Sequence, residues 1–340
     1  MQWLEQPSVK WAVPLPLLLA VAPVIWAFFR RTWRELDDEA YQHRRELHER
    51  GEMDYRPLVA LTLGALVLTF QEYYGRGDTY VDFIRPWIER RTKANPTGFW
   101  DLYTYDELYL RAWWAVTRVG GYLLPLAVWR LFFKHDSLLD FGLRPRGFRE
   151  HAWIYALCVV FMVPILLIVS RQGDFVEYYP LYKQAGRSWF DFLTWQAMYI
   201  AQFLTLEIFF RGWWIRATRV FGVGAIWSMV VPYVMIHYGK PYLEACSAMV
   251  AGVILGSLSM RTRSIYAGFL VHGTVAVLMD VLSLYRRNAL PVLWSPGSSR
   301  HITFLHWGAL IWIAWGLALA VVGVKAWRVW QRRRAGSAVH

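Results

Sequence analysis

Ionisable side chains stand inside the apolar stretches of the C-terminal half of this 340-residue chain. Hydrocarbon solvates charge poorly, so such side chains are rare in membrane-spanning helices and usually face the interior of the helical bundle. Carboxylates and imidazoles held there can exchange protons with a reacting molecule, which is the chemistry of general acid–base catalysis. We therefore predict a polar, catalytic centre built from Glu207, Arg211, His237, Glu244, His272 and Asp280.

The first two candidates, Glu207 and Arg211, are spaced four residues apart. On a helix they are neighbours in the favourable order, with the carboxylate first. Two roles are open, a structural ion pair or a catalytic pair. We favour the structural role for Arg211, and the role of a general base for Glu207 because aromatic and aliphatic residues flank it.

The other candidates lie on the next three apolar stretches. A lone histidine near an interface is more often a hydrogen-bonded packing residue. His237, however, has Glu244 just beyond a turn and His272 inside a nearby stretch, which favours a functional role. Asp280 shares one helix face with His272. We expect it to pair with Lys240, Glu244 or His237 of a neighbouring helix.

Long apolar stretches must position these side chains. Apolar residues make up 56% of the chain, above the share usual in soluble domains. They come in blocks of about the length that crosses roughly 30 Å of hydrocarbon. We therefore predict an all-α fold, a polytopic membrane helical bundle with about nine transmembrane spans. The spans are 11–29, 57–74, 112–133, 152–170, 191–215, 221–238, 243–260, 264–285 and 303–325.

The charge distribution indicates a membrane topology. A net charge of +12 would also suit a nucleic-acid-binding protein, but the basic residues lie between the apolar blocks and more of them fall on one side. The C-terminal tail carries Lys325, Arg328 and Arg332–Arg334. We expect an integral protein of a bacterial inner (plasma) membrane with a cytoplasmic C-terminus and no nucleic-acid partner. Its expected partners are membrane lipid and a peptide or lipidated protein substrate.

Composition also divides the chain into segments. The first apolar run has no convincing cleavage site. It continues to Phe29 and is stopped by Arg30-Arg31, as in an uncleaved signal anchor. The predicted segments are a signal-anchor span over 1–29, a charged cytoplasmic helix over 30–56, additional spans over 57–151 with an interfacial part at 75–111, the site-bearing core over 152–285, and a last span with a basic tail over 286–340.

One predicted span has a face of small residues. Ala248, Gly252 and Gly256 follow Glu244 at intervals of four. Small residues at this spacing let a neighbouring helix approach closely. Packing alone can account for the glycines, but the shared face predicts that Glu244 points into the bundle.

The ordered motifs resemble the CPBP family, also called the Abi or type II CAAX prenyl endopeptidase group of membrane proteases. That family carries Glu-Glu-x-x-x-Arg, Phe-x-x-x-His and His-x-x-x-Asn on successive helices. Here Glu207 and Arg211 are similar to the first motif, Tyr233 and His237 to the second, and His272 to the histidine of the third. The resemblance covers about residues 190–285.

The resemblance implies that glutamate and histidine activate water and that the later histidine and asparagine stabilise the oxyanion. Two positions depart from the family pattern. Leu206 stands where the family has its water-activating glutamate, and Ala276 stands where it has asparagine. Glu244 is a candidate to replace the lost carboxylate. Arg211, Tyr233 and Asp280 are expected to support the catalytic set.

These observations predict an intramembrane endopeptidase that cleaves a membrane-associated or lipidated peptide with Glu/His-activated water. The alternative is a catalytically inactive relative that acts as a membrane binding, chaperone or bacteriocin-immunity-type protein. No cofactor is predicted. A zinc site built from Glu207, His237 and His272 is a further alternative, although no His-Glu-x-x-His motif supports it. A transporter ranks last, since no internal repeat is evident.

Overall fold

The computed structural model describes residues 12, 14–96, 100–144 and 146–296. The described residues are mainly helical and contain no β-strand, which confirms the all-α prediction. The main helices are α1 (Pro14–Arg50), α2 (Arg56–Tyr74), α3 (Gly77–Ala94), α4 (Leu102–Phe132), α5 (Arg146–Val169), α6 (Gly173–Tyr178), α7 (Trp189–Glu207, continued by Ile208–Trp214 and Ile215–Ala217), α8 (Gly224–Met235), α9 (Tyr242–Thr262) and α10 (Tyr266–Arg286).

Helices form along all eight predicted spans that fall in the described residues, but fewer of them qualify as spans by length and composition. Two helices, α9 and α10, are long and apolar enough to cross a membrane. A third candidate is the pair α2 and α3, which is bent by 58° at its break. The prediction of about nine spans is therefore not confirmed. The span predicted at 303–325 lies outside the described residues.

Helix α1 runs unbroken through the predicted boundary between signal anchor and charged helix. Its charged part stays helical because opposite charges four residues apart form ion pairs along the surface. Arg31 Nε, for example, lies 3.0 Å from Glu35 Oε1. The helix ends at Arg50, where Gly51 takes a positive φ of 66° that glycine adopts without steric cost. The change at residues 29–30 is thus a change of composition within one helix.

The described chain forms two compact units. The first contains the described residues up to 144 together with Trp195–Tyr266. The second contains Arg146–Thr194 and the described residues from Ala267 onward. The predicted core segment 152–285 contributes to both units.

The core of the first unit is aromatic and centres on a π-helical turn, Ile208–Trp214, in which every residue is buried. Stacking holds this turn together: the rings of Phe209 and Trp213 lie 5.4 Å apart, and those of Phe210 and Trp214 lie 6.0 Å apart. Large aromatic side chains bury much surface and favour such ring contacts. The π-turn is therefore a packed element.

Helix α9 packs against α8 through its small-residue face. A β-carbon on Gly252 would lie 3.2 Å from Tyr233 Cδ1, and one on Gly256 would lie 3.0 Å from Met229 Cε. At both distances the neighbouring side chain of α8 would have to shift for a larger residue to fit. The close approach predicted from the spacing is confirmed, and it fixes the position of Tyr233.

A salt bridge joins the start of α2 to the segment after α4. The Arg56 guanidinium donates from Nε to Asp136 Oδ2 at 3.0 Å and from Nη2 to Oδ1 at 2.8 Å. Trp129 Nε1 donates to the same carboxylate at 3.1 Å. Bidentate arginine–carboxylate pairs are among the stronger polar contacts, so Asp136 fixes how the two helices meet.

In the second unit, a buried carboxylate anchors the first turn of α7. Asp191 accepts hydrogen bonds from Tyr182 Oη, Arg187 Nη2 and Ser188 Oγ, each at 2.6 Å. A buried charge with several donors and a paired cation is the arrangement that avoids the cost of burial. Asp191 therefore stabilises the segment that leads into α7.

Candidate active site

Helix α7 brings Glu207 and Arg211 together at the start of the π-turn. Glu207 Oε1 lies 3.1 Å from Arg211 Nη1, and both side chains are fully buried. The four-residue spacing has therefore produced an ion pair away from solvent. Ser259 of α9 donates a hydrogen bond to the Arg211 carbonyl at 2.9 Å, which attaches the π-turn to α9.

The Arg211 guanidinium also lies on the face of Tyr233. Its Cζ atom is 3.9 Å from the ring centroid, well within the range of a cation–π contact. Phe210 packs edge-on against Tyr233, and the centroids of the two rings are 5.5 Å apart. Glu207, Arg211 and Tyr233 thus form one buried triad, which links α7 to α8.

Tyr233 in turn orients His237. His237 Nδ1 lies 2.7 Å from the Tyr233 carbonyl oxygen. The two rings are 4.7 Å apart, and His237 is buried. A carbonyl oxygen only accepts hydrogen bonds, so Nδ1 carries the proton in this contact. In the neutral ring, Nε2 is then the basic nitrogen.

Glu244 lies in the first turn of α9 and has a different environment from Glu207. Its Oε1 atom is 2.7 Å from Lys240 Nζ, and its side chain is 22% exposed. The Lys240 amide donates to the His237 carbonyl at 3.2 Å. The turn after α8 therefore connects His237 to the Lys240–Glu244 pair through the backbone.

His272 and Asp280 belong to the second unit, both on α10. Asp280 is fully buried, and His272 is partly buried. Lys240, one of the partners expected for Asp280, pairs with Glu244. The roles of His272 and Asp280 stay predictions.

Residues 188–278 match the family model described as type II CAAX prenyl endopeptidase Rce1-like. These residues are similar to that family, and we call them the Rce1-like segment. The match confirms the family resemblance predicted from the motifs. Comparison with curated proteins and with solved structures gives no match. The matched family is one of endopeptidases, and two of the described helices are long and apolar enough to cross a membrane.

The Rce1-like segment contains all the predicted site residues except Asp280. It also contains both departures from the family pattern. Leu206 is buried within the apolar core of the first unit, beside the π-turn. Ala276 is buried on α10. The position of the family's first glutamate is therefore occupied by a packed aliphatic side chain.

Outside the Rce1-like segment, the structure reveals a polar pair that the predictions missed. Arg118 of α4 donates from Nη1 to Gln71 Oε1 at 3.0 Å, and Gln71 Nε2 donates to the Arg118 carbonyl at 3.2 Å. Gln71 is buried, and a β-carbon on Gly121 would lie 2.6 Å from Gln71 Nε2. The signal was present: Arg118 is a charge within the predicted span 112–133.

The ring of Tyr122 connects this pair to the π-turn. Arg118 Nη1 lies 3.5 Å from Tyr122 Oη, and the Tyr122 ring lies 5.1 Å from that of Phe209. The polar residues of α2 and α4 therefore reach the aromatic core that surrounds the buried triad. They support its position without belonging to the motif set.

The zinc alternative names residues of both units, Glu207 and His237 of the first and His272 of the second. Within the described ranges, no group of three or more His, Cys, Asp or Glu side chains is placed to hold a metal ion. Zinc in proteins is held by three or four such ligands at about 2.0–2.3 Å. Residues Glu207, His237 and His272 are therefore assigned no step that passes through a metal.

Proposed function

We propose that this protein is an intramembrane endopeptidase of the CAAX type in which His237 activates the attacking water. The observation that carries the proposal is the 2.7 Å contact between His237 Nδ1 and the Tyr233 carbonyl. This contact commits the ring to the tautomer whose Nε2 can accept a proton. The match of residues 188–278 to an endopeptidase family supports peptide-bond hydrolysis as the reaction in which this base acts.

In the proposed step, His237 Nε2 takes a proton from water as the water oxygen bonds to the carbonyl carbon of the scissile peptide. The carbonyl π electrons move to its oxygen and form a tetrahedral oxyanion. The imidazolium then returns the proton to the leaving amine as the C–N bond breaks. Proton transfer by a positioned histidine contributes about 10²–10⁴-fold to such reactions.

The remaining residues receive supporting roles. The fully buried ion pair of Glu207 with Arg211 favours a positioning role for Glu207, because the pair holds Tyr233 and hence the carbonyl that orients His237. Glu244 is proposed as the carboxylate that replaces the one absent at position 206, since its side chain is partly exposed. His272 keeps the oxyanion-stabilising role that the resemblance implies.

The substrate class follows from the same family relationship. We propose a membrane-associated or lipidated peptide, recruited from the bilayer in which the apolar helices lie. Testing it requires a quenched-fluorophore peptide with a farnesylated C-terminal cysteine motif, alongside the same peptide without the lipid. Faster cleavage of the lipidated peptide is expected. Equal rates on the two peptides would remove lipidation from the proposal.

The decisive variant is His237→Asn, because an asparagine amide can still donate to the Tyr233 carbonyl but offers no basic nitrogen. Cleavage by the purified full chain should fall about 100-fold or more, with unchanged thermal stability. The matched control is His48→Gln on the exposed surface of α1, which should retain full activity. Full activity in His237→Asn would refute the assignment of the base.

A second candidate function is a non-catalytic membrane binding protein of the same family. The packed Leu206 at the family's glutamate position and the buried Ala276 favour it. It predicts no turnover by the purified chain and a partner protein that co-purifies after mild detergent extraction. Cleavage that disappears in His237→Asn would exclude this function.

The zinc alternative has a separate test. Metal analysis of the purified chain should find no stoichiometric zinc, and cleavage should survive a chelator. Stoichiometric zinc that is lost in a His237→Ala variant would replace general-base catalysis by a metal-bound mechanism.

A further inference from the structure

A cavity of about 410 Å³ lies between α1 and α9, and none of its lining residues belongs to the candidate active site. Its lining combines cationic, apolar and hydroxyl-bearing side chains. They are Phe28, Arg31, Thr32, Glu35 and Arg261.

The cavity lies where α1 changes from apolar to charged. Phe28 is among the last residues of the apolar run, and Arg31 is among the first charged residues after it. Helix α9, one of the two described helices that are long and apolar enough to cross a membrane, contributes Arg261 from its last turn. Trp33 Nε1 donates to Ser257 Oγ at 3.0 Å, one turn before Arg261. This bond keeps the two helices side by side next to the cavity.

The charges of the lining select an anionic group. Two arginines face one glutamate, so the lining carries a net positive charge. Arg31 pairs with Glu35, but both side chains are more than half exposed, and such surface pairs contribute little. Arg261 extends over Phe28, with Cζ 5.8 Å from the ring centroid. A cation is thus held directly above an exposed apolar ring.

From this arrangement we propose that the cavity binds the phosphodiester headgroup of a glycerophospholipid. The phosphate lies between Arg31 and Arg261, where guanidinium groups suit phosphate oxygens. An acyl chain extends from it along the exposed face of Phe28. Basic pockets between helices at the membrane boundary are the sites at which bilayer proteins hold lipid headgroups. The site is independent of the proposed proteolysis.

The test measures lipid retained by the full chain in mild detergent. The protein is delipidated, incubated with dioleoylphosphatidylglycerol, and examined by native mass spectrometry. One bound lipid per chain is expected. Arg261→Gln should retain the lipid about fivefold less, the factor expected from losing one basic side chain near a charged bilayer surface. Phe28→Ala should also weaken retention, through the lost acyl contact.

The matched control is Arg30→Gln. Arg30 is the exposed neighbour of Arg31, and its guanidinium lies over Trp26 outside the cavity. Unchanged retention in this variant is expected. An equal loss in Arg30→Gln and Arg261→Gln would reduce the effect to general surface charge and overturn the proposal.

Two added molecules distinguish recognition of the lipid headgroup from binding of acyl chains alone or of a small anion. Dioleoylglycerol has the same acyl chains without a phosphate, so equal retention of it would show that the headgroup is not recognised. Inorganic phosphate at millimolar concentration should leave the lipid bound. Displacement of the lipid by inorganic phosphate would instead identify a site for small anions and refute a lipid site. Wild-type melting temperatures for the variants exclude misfolding as the cause of any loss.

Discussion

Neutralising Glu207 should destabilise the protein far more than neutralising a glutamate of an exposed ion pair in which glutamate and arginine are also four residues apart. In Glu207→Gln, Arg211 keeps its charge but loses its carboxylate in a site where both side chains are fully buried. Leaving one member of a buried ion pair unpaired costs about 3–5 kcal/mol. The cation–π contact with Tyr233 remains and offsets part of that cost.

The matched control is Glu49→Gln on α1. Arg45 Nε and Glu49 Oε1 are 2.8 Å apart, with the same four-residue spacing, but their side chains are 69% and 58% exposed. An exposed pair contributes at most about 1 kcal/mol. At roughly 2 °C per kcal/mol, Glu207→Gln should lower the melting temperature by about 6–10 °C and Glu49→Gln by no more than about 2 °C.

The assay is thermal unfolding of the purified chain in detergent, followed by intrinsic tryptophan fluorescence. The double variant Glu207→Gln with Arg211→Met removes both charges and should recover most of the lost stability. Similar melting temperatures for Glu207→Gln and Glu49→Gln would refute the buried pair. A double variant no more stable than the single one would show that the loss does not come from the unpaired charge.

Two further predictions concern packing and pH. Gly252→Val should destabilise the protein by about 1–3 kcal/mol, because a β-carbon at Gly252 would lie only 3.2 Å from Tyr233. The control is Gly120→Val, which has open space around it. Equal melting temperatures for the two variants would contradict the packing argument. The hydrogen bond from Arg56 lowers the pKa of Asp136 below its ordinary 3.8. This stabilisation is present above that value and is lost as the pH falls through the lowered pKa. Thermal unfolding measured from pH 5 down to pH 2 should therefore have a smaller acid dependence in Asp136→Asn. An unchanged profile would contradict the assignment.

Sequence patterns predicted the features that depend on local spacing. Apolar blocks located the helices, and the spacing of Glu207 and Arg211 predicted their ion pair. The intervals of four on α9 predicted a close helix contact, which Gly252 and Gly256 make. These properties follow from helix periodicity alone, so a single sequence contains them.

Features that depend on tertiary contacts were not predictable. The tautomer of His237 depends on a local contact with the Tyr233 carbonyl, but α8 ends at Met235, so helical spacing does not place the His237 ring. The π-turn that carries Arg211 is only seven residues long, so the spacing of its apolar residues does not distinguish it from an α-helix. The pair of Arg118 with Gln71 is separated by 47 residues in sequence, and only the packing of α2 on α4 brings the two side chains together.

The unbroken course of α1 has a mechanical consequence. Its 37 residues make a rod about 55 Å long, almost twice the thickness of the hydrocarbon layer. Asp37 Oδ1, in the charged half of the rod, accepts a hydrogen bond from the Val223 amide at 2.8 Å, immediately before α8 begins. A displacement of the charged half of α1 is therefore transmitted through this bond to the start of the helix that presents Tyr233.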